Sequence, residues 1–377
     1  MPARMRRRDF VSGLTAVGLS AWDCPLVQAR SGEADRPLRL LILGGTGFLG
    51  PHVVQAARRR GVAVTLFNRG RTNPGLFRDG PGLEQIQGDR DGGLRALAGR
   101  HWDAALDTSA YLPRHAREAA LLLRGAVPQY IFTSSIAVYG QRRDPVDEST
   151  PLAPHDENVD LRSERVTDVS YGPLKAQCEQ EIRTSFGAQT LLLRLGRLVG
   201  PGDPGDQLTY WAARCARGGD VLVPGRPSDP VQFLDVRDLA EWLLRCVSAK
   251  LSGTFNVVGP AEPCTMERLL STCNAAGGRR ARPQWVSVEA LRQLGYGGFL
   301  GKFPLWQPPE SAGLAQVVGR RARERGLRPR PLASSVRDTL DWLRGQPAAR
   351  QNGLRAGPSA AEESQALGTI KRQQATR

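Results

Sequence analysis

The chain has 377 residues, 40% of them hydrophobic and 24% charged; that length suits two lobes around one cleft, and no run of ~18 apolar residues exists to span a bilayer. Its 52 basic residues outnumber 37 acidic ones, a net charge of +15, but the lysines are only Lys175, Lys250, Lys302 and Lys371, so the excess reads as arginine-rich composition, and nucleic acid is not expected as a partner. The six cysteines show no CxxC or Cys/His clustering, and neither a metal site nor a disulfide framework is expected.

In chain order, Arg6, Arg7, Arg8, Asp9 and Phe10 lead into a weakly apolar stretch from Val11 to Trp22, and Val27-Gln28-Ala29 supplies a small-residue cleavage pattern. Residues 1–29 resemble a twin-arginine export signal, which implies a periplasmic or other extracytoplasmic location; a cytoplasmic protein with a basic start is the alternative. A linker over 30–37 follows. Leu38 to Leu43 is apolar but for Arg39, as a strand buried on both faces of a parallel sheet should be. It leads into Gly44-Gly45-Thr46-Gly47-Phe48-Leu49-Gly50, a helix to Arg60 closed by Gly61, and an alternating strand from Val62 to Phe67. A strand, a glycine turn, a helix and a second strand in that order make a dinucleotide-binding unit. The glycines let the chain turn tightly and let a pyrophosphate approach the helix N-terminus.

Further strands are expected at Ala104 to Asp107, Tyr130 to Ser134, Thr190 to Leu195 and Thr254 to Val258, with amphipathic helices between most of them. Alternation of this kind gives a doubly wound α/β sheet. From about Gly202 the pattern loosens into helices and loops, with helices at Tyr210 to Arg217, Asp238 to Lys250, Met266 to Ala276 and Ser334 to Arg344. The expected organisation is therefore a nucleotide-binding domain over 38–201, a smaller substrate lobe over 202–344 with elements returning to the first core, and a disordered tail over 345–377, where large apolar side chains are scarce.

The chemistry is carried by Ser134 and Ser135 at the end of one strand and by Tyr171 and Lys175 beyond an acidic loop. Spaced four apart, the tyrosine and lysine share a helix face. The ammonium is expected to lower the phenol pKa, so that the tyrosine acts as acid or base while a serine hydroxyl polarises the same substrate oxygen. Tyr139 reads as packing at a strand end, and Trp211, Trp242 and Trp306 as core or lobe interface. His52 and His101 read as structural, and Asp144, Asp147, Glu148, Asp156 and Glu157 as a solvated loop.

With those motifs in view, residues Leu38 to Arg344 resemble the extended short-chain dehydrogenase/reductase superfamily in its NAD-dependent epimerase/dehydratase branch. The resemblance rests on Gly44 to Gly50, Gly88-Asp89-Arg90, Asp107, Ser134 to Gly140, Tyr171 to Lys175, Leu198 to Gly202 and Gln232 to Ala240. It implies a Rossmann-type fold with Gly44, Thr46, Gly47, Phe48, Leu49 and Gly50 around the cofactor and Asp89 and Arg90 flanking the adenine. It makes Tyr171 the acid/base, Lys175 its partner and a nicotinamide-ribose ligand, and Ser135 the third member.

At the end of the second strand stand Asn68, Arg69 and Arg71 in place of the acidic residue that binds an NAD ribose, so NADP is favoured over NAD. The Asn that nucleotide-sugar enzymes of the branch carry after the sixth strand is Arg197 here, and the Arg that contacts a sugar-nucleotide phosphate is Val231. The expected function is hydride transfer on a sugar-like or other small polar hydroxyl or carbonyl substrate that is not a nucleotide sugar, with Ser135 and Arg197 as substrate contacts. The alternative, an RNA-binding relative, is disfavoured by the intact Tyr171 and Lys175. No stable membrane association is expected, and a homodimer stays open.

Overall fold

The structure is a computed structural model that describes residues 36–154, 165–293 and 295–375. The export signal expected over 1–29, and Asp156 and Glu157 of the acidic loop, lie outside the described residues. In chain order the first half contains β1 (Arg39–Leu43), α1 (Leu49–Arg59), β2 (Ala63–Asn68), β3 (Leu83–Gln87), β4 (Ala104–Asp107), α2 (Pro113–Leu123), β5 (Tyr130–Ser135), α3 (Tyr171–Phe186) and β6 (Thr190–Leu195). The second half adds β7 (Leu198–Val199), α4 (Gln207–Arg217), β8 (Gly219–Pro224), β9 (Pro230–Val231), β10 (Leu234–Asp235), α5 (Val236–Ser248), β11 (Gly253–Val257) and β12 (Cys264–Thr265). It closes with α6 (Met266–Ala276), β13 (Ala281–Val286), α7 (Val288–Gln293), α8 (Arg320–Glu324), α9 (Leu332–Arg344), α10 (Ala348–Asn352) and α11 (Ala360–Ala375). No helix among the described residues is long and apolar enough to cross a membrane.

Seven strands form one parallel sheet in the order β3-β2-β1-β4-β5-β6-β11. The run Leu40 to Leu43 shows why both faces are covered: strand residues alternate sides, so Leu40 and Ile42 pack with Val53 and Val54 of α1 and Leu239 and Leu243 of α5. Leu41 and Leu43 turn to the other face and pack with Ala116 and Ala120 of α2 and Cys178 and Ile182 of α3. The strand order reverses between β1 and β4, and in doubly wound sheets that switch point opens a crevice at the C-terminal strand ends.

The structure departs from the sequence expectations in three places. β3 joins the sheet edge although Glu84, Gln85 and Gln87 make it mostly polar, because an edge strand is covered less completely than a central one. The second lobe holds a parallel pair, β8 with β13, where only helices and loops were expected; β13 reads Ala-Arg-Pro-Gln-Trp-Val, which hides the alternation. The segment over 345–377 is not a disordered tail over its described part. Glu363, Ala366, Leu367 and Ile370 recur at helical spacing, and Ala366, Leu367 and Ile370 join the apolar core of the second lobe. Glu363 is buried; it accepts 2.6 Å from Arg214 Nε and 3.0 Å from the Leu222 N–H of β8. Composition missed the helix because its buried stripe combines an ion-paired glutamate and an alanine with only two large apolar side chains.

Removing one partner of a buried ion pair leaves the other charge uncompensated, at a cost of about 3–5 kcal/mol. Glu363→Ala should therefore lower the free energy of urea unfolding by that order, whereas an undocked segment would make the substitution nearly silent.

Candidate active site

β1 ends at Leu43, and Gly44 and Gly45 turn the chain with φ of 102° and 97°, in the left-handed region that only glycine enters freely. Asn73 Nδ2 donates to the Thr46 carbonyl at 2.8 Å and fixes the turn. Gly47 has nothing within 4 Å of the place a Cβ would occupy; it faces open space on the wall of two adjoining cavities. α1 then starts with no side-chain cap and no acidic residue in its first turn. Its free N–H groups and the positive end of its dipole are left for an anion. A dinucleotide pyrophosphate fits this cradle.

The larger cavity, about 600 Å³, is lined by Gly44, Thr46 and Gly47 and by Asn68, Arg69, Arg71, Asp89 and Arg90. The Asn68 carboxamide accepts from the Gly70 N–H at 2.9 Å and shapes the loop after β2. Arg69 and Arg71 are exposed into the cavity and make no ion pair among the described residues. Arg90 differs: its guanidinium reaches Asp107 at 3.0 and 2.9 Å and Ser109 Oγ at 2.9 Å. It shapes the wall beside Asp89, but its charge is committed to Asp107. Burial would raise the Asp107 carboxyl; the Arg90 charge and hydrogen bonds from Arg90, the Ser109 N–H and Tyr130 hold it below the ordinary carboxylate value.

The smaller cavity, about 300 Å³, is lined by Gly47, Phe48, Leu49 and Gly50 together with Ser135, Tyr171 and Lys175. Gly47, Thr108 and Tyr111 line both cavities, so the two form one cleft across the switch point. Ser135 ends β5, and its hydroxyl accepts from the Ala137 N–H at 3.1 Å. Gly172 lets α3 close onto that turn: a Cβ there would lie 2.4 Å from the Ala137 carbonyl oxygen. Tyr171, the first residue of α3, is thereby brought to Ser135. Ser134, in contrast, donates to Glu179 at 2.6 Å.

Burial raises the Tyr171 phenol above its ordinary pKa, with a hydrogen bond from Ser135 working against the shift. Lys175 Nζ donates to the carbonyls of Thr133 at 2.6 Å and Ala110 at 3.0 Å and lies 4.2 Å from the Phe132 ring centre. Burial lowers it to about 8. The expected lowering of the phenol pKa is not seen: burial raises it, and the lysine ammonium is held by two main-chain carbonyls.

Arg197 is not in this cavity. It follows Leu195 and Gly196, which line it, but its own side chain lines a third cavity of about 620 Å³ with Gln207, Lys302, Gln307 and Arg355. The structural readings of the aromatics stand. Tyr139 is buried and donates to Asn256 Oδ1 at 2.7 Å; Trp211, Trp242 and Trp306 are buried, each indole donating to an oxygen within 3.0 Å. Sequence reasoning missed Tyr111, whose ring centre is 6.2 Å from that of Tyr171. Its one signal was its place just past the strand ending at Asp107.

Residues 40–259, more than half of the chain, match the NAD dependent epimerase/dehydratase family, and the chain belongs to that family. It is similar to 2'-dehydrokanamycin reductase of Streptomyces kanamyceticus, 26% identical over 81% of this chain and 84% of the relative. It is also similar to dTDP-4-dehydro-6-deoxy-D-allose reductase of Streptomyces bikiniensis, 24% identical over 81% of this chain and 96% of the relative. Among solved structures, a putative epimerase from Burkholderia cenocepacia J2315 shares the fold with a TM-score of 0.62 at 20% identity, covering 82% of this chain and 100% of that one. The protein is an NAD(P)-dependent enzyme of the extended short-chain dehydrogenase type.

Because burial lowers Lys175 from 10.5 to about 8, the unfolded chain binds the extra proton between those values, and this residue makes folding stability rise with pH across that window. Lys175→Met should remove the rise. Urea unfolding of both proteins at several pH values should show the wild type gaining on the variant by about 3 kcal/mol from pH 8 to 10.5, at 1.36 kcal/mol per unit; parallel curves would show the lysine to be ordinarily solvated.

Proposed function

We propose that this member of the NAD-dependent epimerase/dehydratase family reduces or oxidises a small, sugar-like hydroxyl or carbonyl compound that is not a nucleotide sugar, with NADP as its preferred cofactor. The observation that carries this reading is the Ser135 and Tyr171 hydroxyl pair in a cavity continuous with the glycine cradle. When bound, the nicotinamide supplies or accepts the hydride. The chain's own residues handle the proton. Tyr171, a phenol whose pKa burial raises further, is set to donate to a substrate carbonyl oxygen. Ser135 orients that same oxygen. Lys175, anchored on two carbonyls, keeps a remaining N–H for a ribose hydroxyl at the nicotinamide end.

Support for NADP comes from Arg69 and Arg71, two exposed guanidinium groups on the wall of the larger cavity at the end of β2. Support against a nucleotide sugar comes from Val231, which is buried in β9 beside Cys264 and offers no charge to a phosphate, and from Arg197 in the position where an Asn is usual. Of the relatives, one is by name a reductase of 2'-dehydrokanamycin and another of a dTDP-linked sugar; the residues of this chain side with the former.

Tyr171→Phe should bind NADPH within about twofold of wild type and lose ~10²–10⁴ in kcat, the usual range for removing a general acid. The assay follows nicotinamide absorbance against a panel of keto sugars and their alcohols. Wild-type turnover by the variant would sink the assignment. Arg69→Ala combined with Arg71→Ala should weaken NADPH binding by about tenfold or more and leave NADH nearly unchanged, since only the former offers a 2'-phosphate to the guanidinium groups. Equal losses for the two cofactors would mark the arginines as surface charge.

A further inference from the structure

The third cavity adjoins the catalytic one through the β6 to β7 connection, where Leu195, Gly196 and Leu198 face one and Arg197 the other. Arg197 Nη1 donates to Gln207 Oε1 at 3.0 Å, and with the Gln307 carboxamide oxygen turned inward Nε and Nη2 donate to it at 3.3 and 2.7 Å. These partners are neutral. The accessible surface of Arg197 lies inside a concave site, where loss of hydration lowers its pKa with no carboxylate to offset the effect.

Part of the lining belongs to the segment that composition had left unfolded. Asp206, fully buried, accepts from the Arg350 guanidinium and, at 2.9 Å, from the Arg355 main-chain N–H. The Gly357 N–H donates to the Lys302 carbonyl at 2.9 Å, and Gly357 lies against the Tyr210 ring. The segment is thus stitched to the lobe on both sides of Arg355, whose Nη1 meets only the Pro204 carbonyl, at 3.2 Å. Of the other charges that line the cavity, Lys302 pairs with Glu362 at 2.6 Å and Glu310 lies 3.9 Å from Arg292. Among the described residues, Arg197 and Arg355 are the cavity cations without a carboxylate partner.

We propose that this cavity is a subsite for an anionic group on the substrate, a carboxylate or a phosphate monoester, held by Arg197 and Arg355, and that the segment from 350 to 357 is built as its wall. The inference rests on the oxidoreductase reading only in calling the ligand a substrate. Guanidinium groups that line one cavity without counter-charges favour an anion that brings two or more acceptor oxygens, and a concave site raises the strength of that contact above its value on an open surface.

The test is calorimetric titration of the protein, saturated with whichever of NADH and NADPH binds tighter, with D-glucuronate, D-glucose 6-phosphate, inorganic phosphate and, as the neutral control, D-glucose. At least one anionic probe should bind about tenfold or more tighter than glucose; preference for glucuronate or for the two phosphates identifies which anion the subsite takes. Arg355→Ala and Arg197→Gln should each abolish about tenfold of that preference, Arg355→Lys should restore part of it, and Arg58→Ala on the remote α1 should change nothing. Arg355→Ala is expected to melt with the wild type, because the main-chain N–H rather than the side chain holds Asp206. Glucose binding as tightly as the anions, no anion binding up to about 10 mM, or a full preference surviving Arg355→Ala would each overturn the proposal. Anion binding that persists while Tyr171→Phe retains turnover would overturn the catalytic reading and leave the subsite standing.

Discussion

One buried carboxylate organises the cleft. Asp107 closes β4 with no exposed surface, and it accepts from the N–H groups of Ser109 and Ala110 at 3.0 Å, from Tyr130 at 2.8 Å and from Arg90 at 3.0 and 2.9 Å. A charge so deep in the fold is tolerable only when every acceptor direction is used. Satisfying it fixes three things at once. Arg90 is drawn into the cofactor wall, the chain from 108 to 111 is curled at the switch point, and the Ala110 carbonyl is left facing Lys175. The Asp107 carbonyl also accepts from Thr133 Oγ1 at 3.0 Å, and the Thr133 carbonyl is the other anchor of Lys175. Cofactor side and catalytic side therefore take their positions from the same residue.

The core of the fold was legible in the sequence because a parallel sheet buries both faces, and runs such as Leu40 to Leu43 cannot then be anything else. The glycine turn and the Tyr171 and Lys175 spacing were legible for a similar reason: each is a local pattern that one backbone geometry demands. What escaped was non-local. Nothing in the sequence around Lys175 says that Thr133 and Ala110 will hold its ammonium, because those carbonyls come from β5 and from the loop after β4. Arg197 was singled out for its position after β6, yet the cavity it faces exists only once residues from 302 to 310 and 355 to 357 have folded around it. The closing helix was hidden because its stripe combines one buried glutamate with alanine and leucine.

The arginine excess, uninformative as a total, sorts by environment. Arg194 is buried against Glu179 at 2.8 Å and its Nη1 meets Tyr139 Oη at 2.9 Å; Arg237 and Arg330 share Asp235 and Asp338; Arg214 holds Glu363. These are structural cations with matched carboxylates. Arg69, Arg71, Arg197 and Arg355 line cavities without one. In a chain where arginine is common, the absence of a counter-charge in a concave place distinguishes a binding group from a scaffold group more sharply than residue type does.

The path of the chain between its two cores has a consequence for how such an enzyme can change. After β6 it enters the second lobe, returns through α5 and β11 to the first, leaves again with α6, comes back with Ala322 and Leu327, and departs once more with α9. No single junction separates the lobes, so recombination cannot graft a foreign substrate lobe onto this nucleotide-binding half as a cassette. New specificity has to arrive by point changes in the short stretches that face the cleft, and the cofactor half is carried along unchanged.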